Sequence, residues 1–175
     1  MKKHAKKIII ALAIAVLLIL LKLLLPDEVV DITDAVVNEE NGDIAFSIYE
    51  DEILTVKLFD KDGKLIFSKE LETWRASPDM LFHKNNLYID IGKSQSELVA
   101  FDKQGNSIKP EIPASHVRNI DQFNGWKHSG FRGVYEYELN GYTYKYEGAT
   151  IYRHKSKLSV IHNETQAVIY ENPSA

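Results

Sequence analysis

Two short stretches, LFDKDGKLI at residues 58–66 and AFDKQGNSI at residues 100–108, decide the fold of this chain. In each, a run of mostly apolar residues ending in phenylalanine is followed by Asp-Lys-x-Gly and then by a second short run. Asp and Gly favour tight turns, and short apolar runs on both sides of such a turn are typical of antiparallel strands. Phe101 follows Phe59 by 42 positions, so the sequence predicts a repeated strand–turn–strand unit.

Similar patterns extend along most of the chain, and the sequence predicts an all-β domain built as an antiparallel meander of short strands. The Asn-Gly pair at Asn140 and Gly141, between two alternating tyrosine-rich runs, is a strong hairpin signal. We expect the β domain at residues 43–172, with a long loop at 110–130. Residues 26–42 are expected to form a linker and a first strand, and residues 173–175 a short tail.

The repeated unit resembles the strand, Phe-Asp-Lys-x-Gly turn, strand element of β-propeller repeats in quinoprotein-like and related bacterial surface proteins. The spacing agrees with this resemblance, because propeller blades repeat about every 40–45 residues. The resemblance covers residues 43–110 well and 133–172 weakly. It implies two to three propeller-like blades that serve as an interaction scaffold, with no particular activity. A β-sandwich is the alternative fold.

Residues 8–25, IIIALAIAVLLILLKLLL, carry one charge, Lys22, and are followed directly by Pro26. A helix of this length spans about 27 Å, close to the hydrocarbon thickness of a bilayer. The sequence therefore predicts one transmembrane helix at residues 8–25, preceded by a basic cytoplasmic tail at residues 1–7. The membrane is then a partner of the chain through this segment.

The lysines before this segment and the acidic pair Asp27 and Glu28 after it set its predicted orientation. By the positive-inside rule, the N-terminus stays in the cytoplasm and the domain lies outside the cell membrane. The alternative is secretion after cleavage of a signal peptide. No small-residue cleavage site follows the apolar run, which favours an uncleaved signal-anchor.

The charge and the cysteine content of the chain exclude some classes of function. Beyond residue 25 the chain holds 16 basic and 25 acidic residues, a net charge of −9. This balance argues against a nucleic-acid partner, which requires a basic face. The chain has no cysteine, which excludes thiolate metal sites and thiol catalysis and favours a bacterial exterior.

Two regions hold candidate binding residues. In the loop at 110–130, His116, Trp126 and His128 stand near Asp121, and Trp126 is either a partner anchor or a core residue. Tyrosines crowd residues 135–152, and strand alternation places Tyr142, Tyr144 and Tyr146 on one face. These rings are either cross-strand core pairs or an exposed ladder for a sugar or peptide.

The sequence thus favours a non-enzymatic, membrane-anchored protein that binds or assembles with another membrane or surface protein. One alternative is an exported sensor that recognises a carbohydrate or peptide. The other is a hydrolase using His116, Asp121 and His128, which requires their side chains to converge. No catalytic residue, metal site or cofactor is predicted, because no phosphate-binding, nucleophile or zinc motif occurs.

Overall fold

The computed structural model describes residues 32–73, 75–92, 97–118, 120–128, 133–148 and 156–171. Within them the chain forms three antiparallel sheets. The first sheet consists of β1 (Ile32–Val37), β2 (Ile44–Glu50), β3 (Ile53–Phe59) and β4 (Leu65–Glu72). The second consists of β5 (Asp79–His83), β6 (Asn86–Asp90), β7 (Leu98–Phe101) and β8 (Ser107–Ile108). The third consists of β9 (Lys127–His128), β10 (Val134–Leu139), β11 (Tyr142–Glu147), β12 (Lys157–His162) and β13 (Thr165–Glu171).

In every sheet, strands that follow one another in the chain are also neighbours in space. The predicted all-β architecture and antiparallel meander are therefore confirmed. Tight hairpins make this connectivity possible, because two consecutive residues with positive φ reverse the chain between neighbouring strands. Lys84 and Asn85 have φ of 50° and 62°, and Asn140 and Gly141 have φ of 49° and 82°. The Asn-Gly hairpin lies where the sequence predicts it, between β10 and β11.

The two Asp-x-x-Gly turns of the repeated sequence have the same geometry. Asp60 Oδ1 accepts the backbone N–H groups two and four residues later, over 3.0 and 2.8 Å. Asp102 Oδ1 makes the equivalent bonds over 2.9 and 2.8 Å. Gly63 and Gly105 close the turns with φ of 82° and 81°. The sequence repeat is thus a structural repeat, with one turn between β3 and β4 and the other between β7 and β8.

The first sheet lies between the other two and buries both of its faces. The cluster that it shares with the third sheet includes Val37, Ile44, Phe46, Phe59, Tyr144, Tyr146, Leu158 and Val160. The cluster that it shares with the second sheet includes Ala45, Leu54, Val56, Leu58, Phe67, Met80, Leu87, Ile89 and Phe101. Burying each large apolar side chain contributes about 1.5–3 kcal/mol, so these two layers provide most of the stabilisation.

The predicted loop at 110–130 contains a short 3₁₀ helix, η1 (Ala114–His116), and the strand β9. Val117, directly after η1, is fully buried against Tyr88 and Ala100 of the second sheet. Further along, Phe123 and Trp126 enter the core between the first and third sheets. This loop therefore covers one sheet and fills part of the core beside another.

The transmembrane helix predicted at residues 8–25 lies outside the described residues. Across the part of the chain that the structure describes, no helix is long and apolar enough to cross a bilayer.

Candidate functional site

The turn between β1 and β2 is the centre of one face of the molecule, here called the turn face. Several hairpin turns meet there, formed by residues 38–43, 60–64, 84–85, 102–106 and 139–141. Their contacts with one another are direct, and the cavities on this face are lined jointly by them. The β1–β2 turn touches the first, second and third sheets, so it positions the polar groups of this face.

Asn38 connects the β1–β2 turn to the β5–β6 turn beneath the surface of the turn face. Its side chain is 2% exposed, its Nδ2 donates to Asn85 Oδ1 over 2.9 Å, and its Oδ1 accepts the N–H of Glu40 over 3.0 Å. Asn85 Nδ2 in turn donates to Glu40 Oε2 over 2.5 Å. The first and second sheets are therefore joined by a half-buried amide contact, and an exposed hydrogen bond from Asn85 orients the Glu40 carboxylate.

Tyr144 joins the same turn to the third sheet. Its fully buried hydroxyl donates to the Gly42 carbonyl over 2.5 Å. Burial, and then the nearby charge of Asp43, raise the pKa of Tyr144 well above its ordinary value, so this hydroxyl keeps its proton. A Cβ on Gly42 would stand 2.9 Å from the Tyr144 hydroxyl, so glycine is required there.

A cleft of about 320 Å³ opens on the turn face between the three sheets. Its walls come from the ends of β1 and β5, from Tyr137 of β10 and from residues 124–125 of the loop. The polar and aromatic side chains that line it include Asn38, Glu39, Glu40, Phe82, His83, Lys84 and Tyr137. Aromatic walls with a few fixed polar groups are typical of ligand-binding cavities.

The two adjacent carboxylates at this cleft are oriented by neutral donors. Tyr137 Oη donates to Glu39 Oε1 over 3.0 Å, and Asn85 holds Glu40 as described above. The pKa of Tyr137 is raised by burial, and further by its hydrogen bond to Glu39 and by the charge of Glu39. Among the described residues, Lys84 forms its ion pair with Glu111 over 3.2 Å rather than with either cleft carboxylate. Lys84 itself lines the cleft, but among the described ion pairs neither Glu39 nor Glu40 has a cationic partner.

Residues 122–126, here called the plug, form one wall of the cleft and also enter the core. The Phe123 ring stacks on both Tyr135 and Tyr146, with centroids 4.7 and 4.9 Å away, and the two tyrosine rings lie 6.3 Å apart. Trp126 packs on Phe123 edge to face at 5.7 Å and lies 5.9 Å from the ring of Tyr137. Phe123 has a φ of 52°, a left-handed conformation that costs about 1–3 kcal/mol for a bulky residue. Aromatic burial offsets this strain.

Asp34 fastens the plug to β1. Its Oδ1 accepts the N–H of Phe123 over 2.7 Å and the N–H of Ala35 over 2.8 Å. The pairing of β1 with β2 is irregular beside Asp34, between Ile32 and Asp34. Because burial disfavours the ionised carboxylate, and the two N–H bonds only partly compensate, the pKa of Asp34 rises to about 7. The negative charge of Asp79 adds to this rise.

A cluster of ion pairs lies at the start of β5 and the end of β6. Arg75 Nη2 is 2.8 Å from Asp79 Oδ2, and Arg75 Nη1 is 3.4 Å from Asp90 Oδ2. Arg118 Nε lies 3.2 Å from the same Asp90 oxygen, and Asp90 is fully buried. Removing one partner of such a buried group leaves its charge uncompensated, so this cluster has a structural role in joining the loop to the second sheet.

The described contacts do not bring the predicted loop candidates together in one site. These candidates are His116, Asp121, Trp126 and His128. Trp126 is 9% exposed and belongs to the core. His128 is exposed on β9, with its ring 5.2 Å from Tyr135, and His116 is exposed in η1. Asp121 is also exposed, and no group of three or more His, Asp or Glu suited to a metal occurs in the described chain.

The tyrosines of β10 and β11 pair across the two strands, and the first sheet packs on the face that carries Tyr142, Tyr144 and Tyr146. Tyr144 pairs with Tyr137 across β11 and β10, and Tyr146 pairs with Tyr135. Tyr144 and Tyr146 are buried because this face packs against the first sheet. Tyr142 is half-buried, stacked on the ring of His162 at 4.1 Å, with Lys61 Nζ 5.4 Å from its centroid. Of these three tyrosines, only Tyr142 is partly exposed to solvent.

No sequence pattern indicates the residues that form the cleft. The acidic run before Asn41 and Gly42 indicates a turn. A turn signal is local, so it does not show which other turns will contact this one in the folded domain. Asp34 was detectable in part, since it is a single carboxylate directly before Ala35, Val36 and Val37. A charged residue inside an apolar strand is almost never fully buried without partners, so it marks a site to inspect.

Comparison of this chain with protein-family models, with curated proteins and with solved structures finds no match.

Proposed function

We propose that this chain is a membrane-anchored, non-enzymatic binding module whose turn-face cleft takes a cationic group of its ligand. The carboxylates of Glu39 and Glu40 carry this proposal, because both are fixed at the cleft by neutral donors, Tyr137 and Asn85. A carboxylate held by neutral donors has no counter-charge beside it, whereas the charge of one paired with lysine or arginine is already compensated. The rings of Phe82 and Tyr137 favour a cation on the apolar side of the same cleft.

The ligand belongs to the class of amines and guanidines, either as a free small molecule or as a lysine or arginine side chain of a partner protein. The net charge of −9 beyond residue 25 supports this class, since it attracts cations over a distance. A basic segment of another membrane or surface protein fits best, because a domain held outside the membrane by residues 8–25 meets such proteins at high local concentration.

We propose further that the three sheets are propeller-like blades. Support comes from two equivalent contacts between sheets. Gly105, in the β7–β8 turn of the second sheet, packs on Phe67 of β4 in the first. Gly63, in the β3–β4 turn of the first sheet, packs on Ala167 of β13 in the third. In both cases the turn between the third and fourth strands of one sheet packs on the last strand of the neighbouring sheet. This equivalence is expected for blades related by one rotation and not for a two-sheet sandwich.

Binding of simple cations to the full chain in an uncharged detergent tests the proposed ligand class. Calorimetric titration would use cadaverine and the blocked peptides acetyl-Gly-Lys-Gly-amide and acetyl-Gly-Arg-Gly-amide, with acetyl-Gly-Gln-Gly-amide as the neutral probe. We expect the cationic probes to bind and the neutral one not to. A preference for the peptides over cadaverine would identify a protein partner, and the reverse would identify a free amine.

Matched substitutions locate the site. Glu39→Gln and Glu40→Gln keep the shape of the side chains and remove the charges, so each is expected to weaken cation binding about tenfold. Glu164→Gln, in the exposed turn between β12 and β13, should leave binding unchanged. Equal binding of neutral and cationic probes, or equal loss in all three variants, would contradict the proposal.

A further inference from the structure

The plug at residues 122–126 combines three unfavourable features in five residues. Phe123 adopts a left-handed φ of 52°, which is strained for a bulky side chain. Within the described chain, Trp126 Nε1 is buried without a hydrogen-bond acceptor. The backbone N–H of Phe123 is bonded to Asp34, a carboxylate that is 3% exposed. Strain of this kind persists only where the surrounding structure enforces it, so the plug depends on its aromatic packing and on its bond to Asp34.

We propose that the plug is a releasable wall of the turn-face cleft, latched to β1 through Asp34 and freed when Asp34 loses its proton. In the closed state, protonated Asp34 is buried without the cost of a charge, and its Oδ1 still accepts the Phe123 N–H. When the proton leaves, the ionised carboxylate gains most by becoming hydrated. Hydration requires the plug to move, because the plug is what covers Asp34 on the side of Phe123.

Release of the plug changes the cleft directly. Residues 124–125 of the plug line the cleft, and Trp126 lies against Tyr137, whose hydroxyl orients Glu39. An open plug therefore enlarges the cleft and removes support from one of its two carboxylates. This consequence for the ligand rests on the proposed function, whereas the release itself does not.

Within the described ranges, few charged groups surround the latch. Asp79 of β5 acts on Asp34 by repulsion, and Arg75 pairs with Asp79 over 2.8 Å. Asp90 of β6 pairs with Arg75 and with Arg118, the latter in the loop before the plug. On the plug side, Asp121 directly precedes the plug and is exposed. Repulsion by Asp79 acts in the same direction as burial, so both favour the protonated closed state at low pH.

The sign of the pH dependence follows from the two states of Asp34. Burial gives the closed state a pKa of about 7 for Asp34, and hydration in the open state returns it toward its ordinary value of 3.8. The open-to-closed ratio should therefore rise about tenfold per pH unit between those two values and level off above the higher one. Between pH 5 and pH 7 the expected increase is about 50-fold.

Amide hydrogen exchange of the full chain in detergent, without ligand, tests the latch. The readouts are the N–H groups of Phe123 and Trp126, which bond to Asp34 and to the Phe123 carbonyl. After correction for the intrinsic exchange rate, their opening should increase about 50-fold from pH 5 to pH 7. The amides of β3, in the middle of the first sheet, report global unfolding. They should exchange far more slowly than the plug amides at both pH values, because the plug opens without unfolding of the domain.

Two variants complete the test. Asp34→Asn keeps the acceptor oxygen without a titrating proton, so the opening of the plug should become independent of pH. Asp102→Asn removes an exposed turn carboxylate that also accepts backbone N–H groups, and should leave the pH profile of the plug unchanged. A flat profile in the native chain overturns the proposal, whether or not Asp34→Asn folds. The same profile in Asp34→Asn as in the native chain overturns it as well.

Discussion

Gly105 lies against the ring of Phe67 so closely that a Cβ on Gly105 would stand 2.7 Å from the Phe67 Cγ. Gly105 belongs to the β7–β8 turn of the second sheet, and Phe67 belongs to β4 of the first. This glycine therefore meets two requirements at once, a φ of 81° for its turn and the absence of a side chain for the contact between sheets.

Replacing Gly105 by alanine should consequently destabilise the domain more than the backbone conformation alone explains. A left-handed φ costs an alanine about 1–2 kcal/mol, and the clash with Phe67 in a packed core adds about 1–3 kcal/mol. Gly141→Ala is the matched control, since Gly141 has a φ of 82° and nothing within 4 Å of a built Cβ. Urea unfolding of both variants should show the larger loss for Gly105→Ala. Equal losses would mean that the sheets adjust freely at this contact.

The meander was predictable from the sequence, whereas the packing of its sheets was not. Turn residues and alternating strands are local signals, and Asn140 with Gly141 or Asp60 with Gly63 mark the chain reversals wherever the sheets later lie. The contact between Gly105 and Phe67 depends on how two sheets dock, which no local pattern specifies. The same reason hides the cleft, because Glu39 and Tyr137 meet only after the first and third sheets pack together.

Two fully buried tyrosines should respond in opposite ways to loss of their hydroxyls. Tyr144 donates to the Gly42 carbonyl, whereas Tyr88 Oη has no partner among the described residues. Tyr144→Phe should lower the free energy of unfolding by about 1 kcal/mol, since it leaves the carbonyl without its donor. Tyr88→Phe should leave it unchanged or raise it by up to about 1 kcal/mol, since it removes an unsatisfied polar atom.

Unfolding of both tyrosine variants in urea, with the same slope as the native chain, checks this pair. The two substitutions remove the same atom from equally buried rings, so each serves as the control for the other. A loss of similar size in both would show that the Tyr144 hydrogen bond contributes nothing specific to the turn face.

The predicted anchor leads to an expected topology in bacterial cells. Protease added outside intact cells should digest the β domain and spare a tag placed before Met1, because the four lysines of residues 1–7 retain the N-terminus in the cytoplasm. Replacing those lysines by glutamate should reduce the protease-sensitive fraction, while the same number of lysine-to-glutamine changes within the β domain should not. Protection of the domain in the native chain would contradict this topology.

The buried carboxylate of Asp34 should make the whole domain less stable as the pH rises. Its pKa is raised by burial from 3.8 to about 7, so its stabilisation is complete below the unfolded value and is lost as the pH passes through the folded value. The expected loss between pH 4 and pH 8 is up to about 4 kcal/mol for this group. Asp34→Asn should therefore be more stable than the native chain at pH 8, with little difference near pH 4.

The pKa of Asp102 is shifted in the opposite direction from that of Asp34, so Asp102 serves as a control for the pH dependence. Hydrogen bonds from Asn106 lower its pKa, so Asp102 stabilises the domain at neutral pH and loses that contribution as the pH falls. Asp102→Asn should thus be less stable than the native chain at pH 8, and the difference should shrink toward pH 3. Unfolding curves of both variants at pH 4, 6 and 8 separate the two signs. If Asp34→Asn lowers stability equally at every pH, Asp34 is ionised in the folded domain throughout, and the latch does not exist.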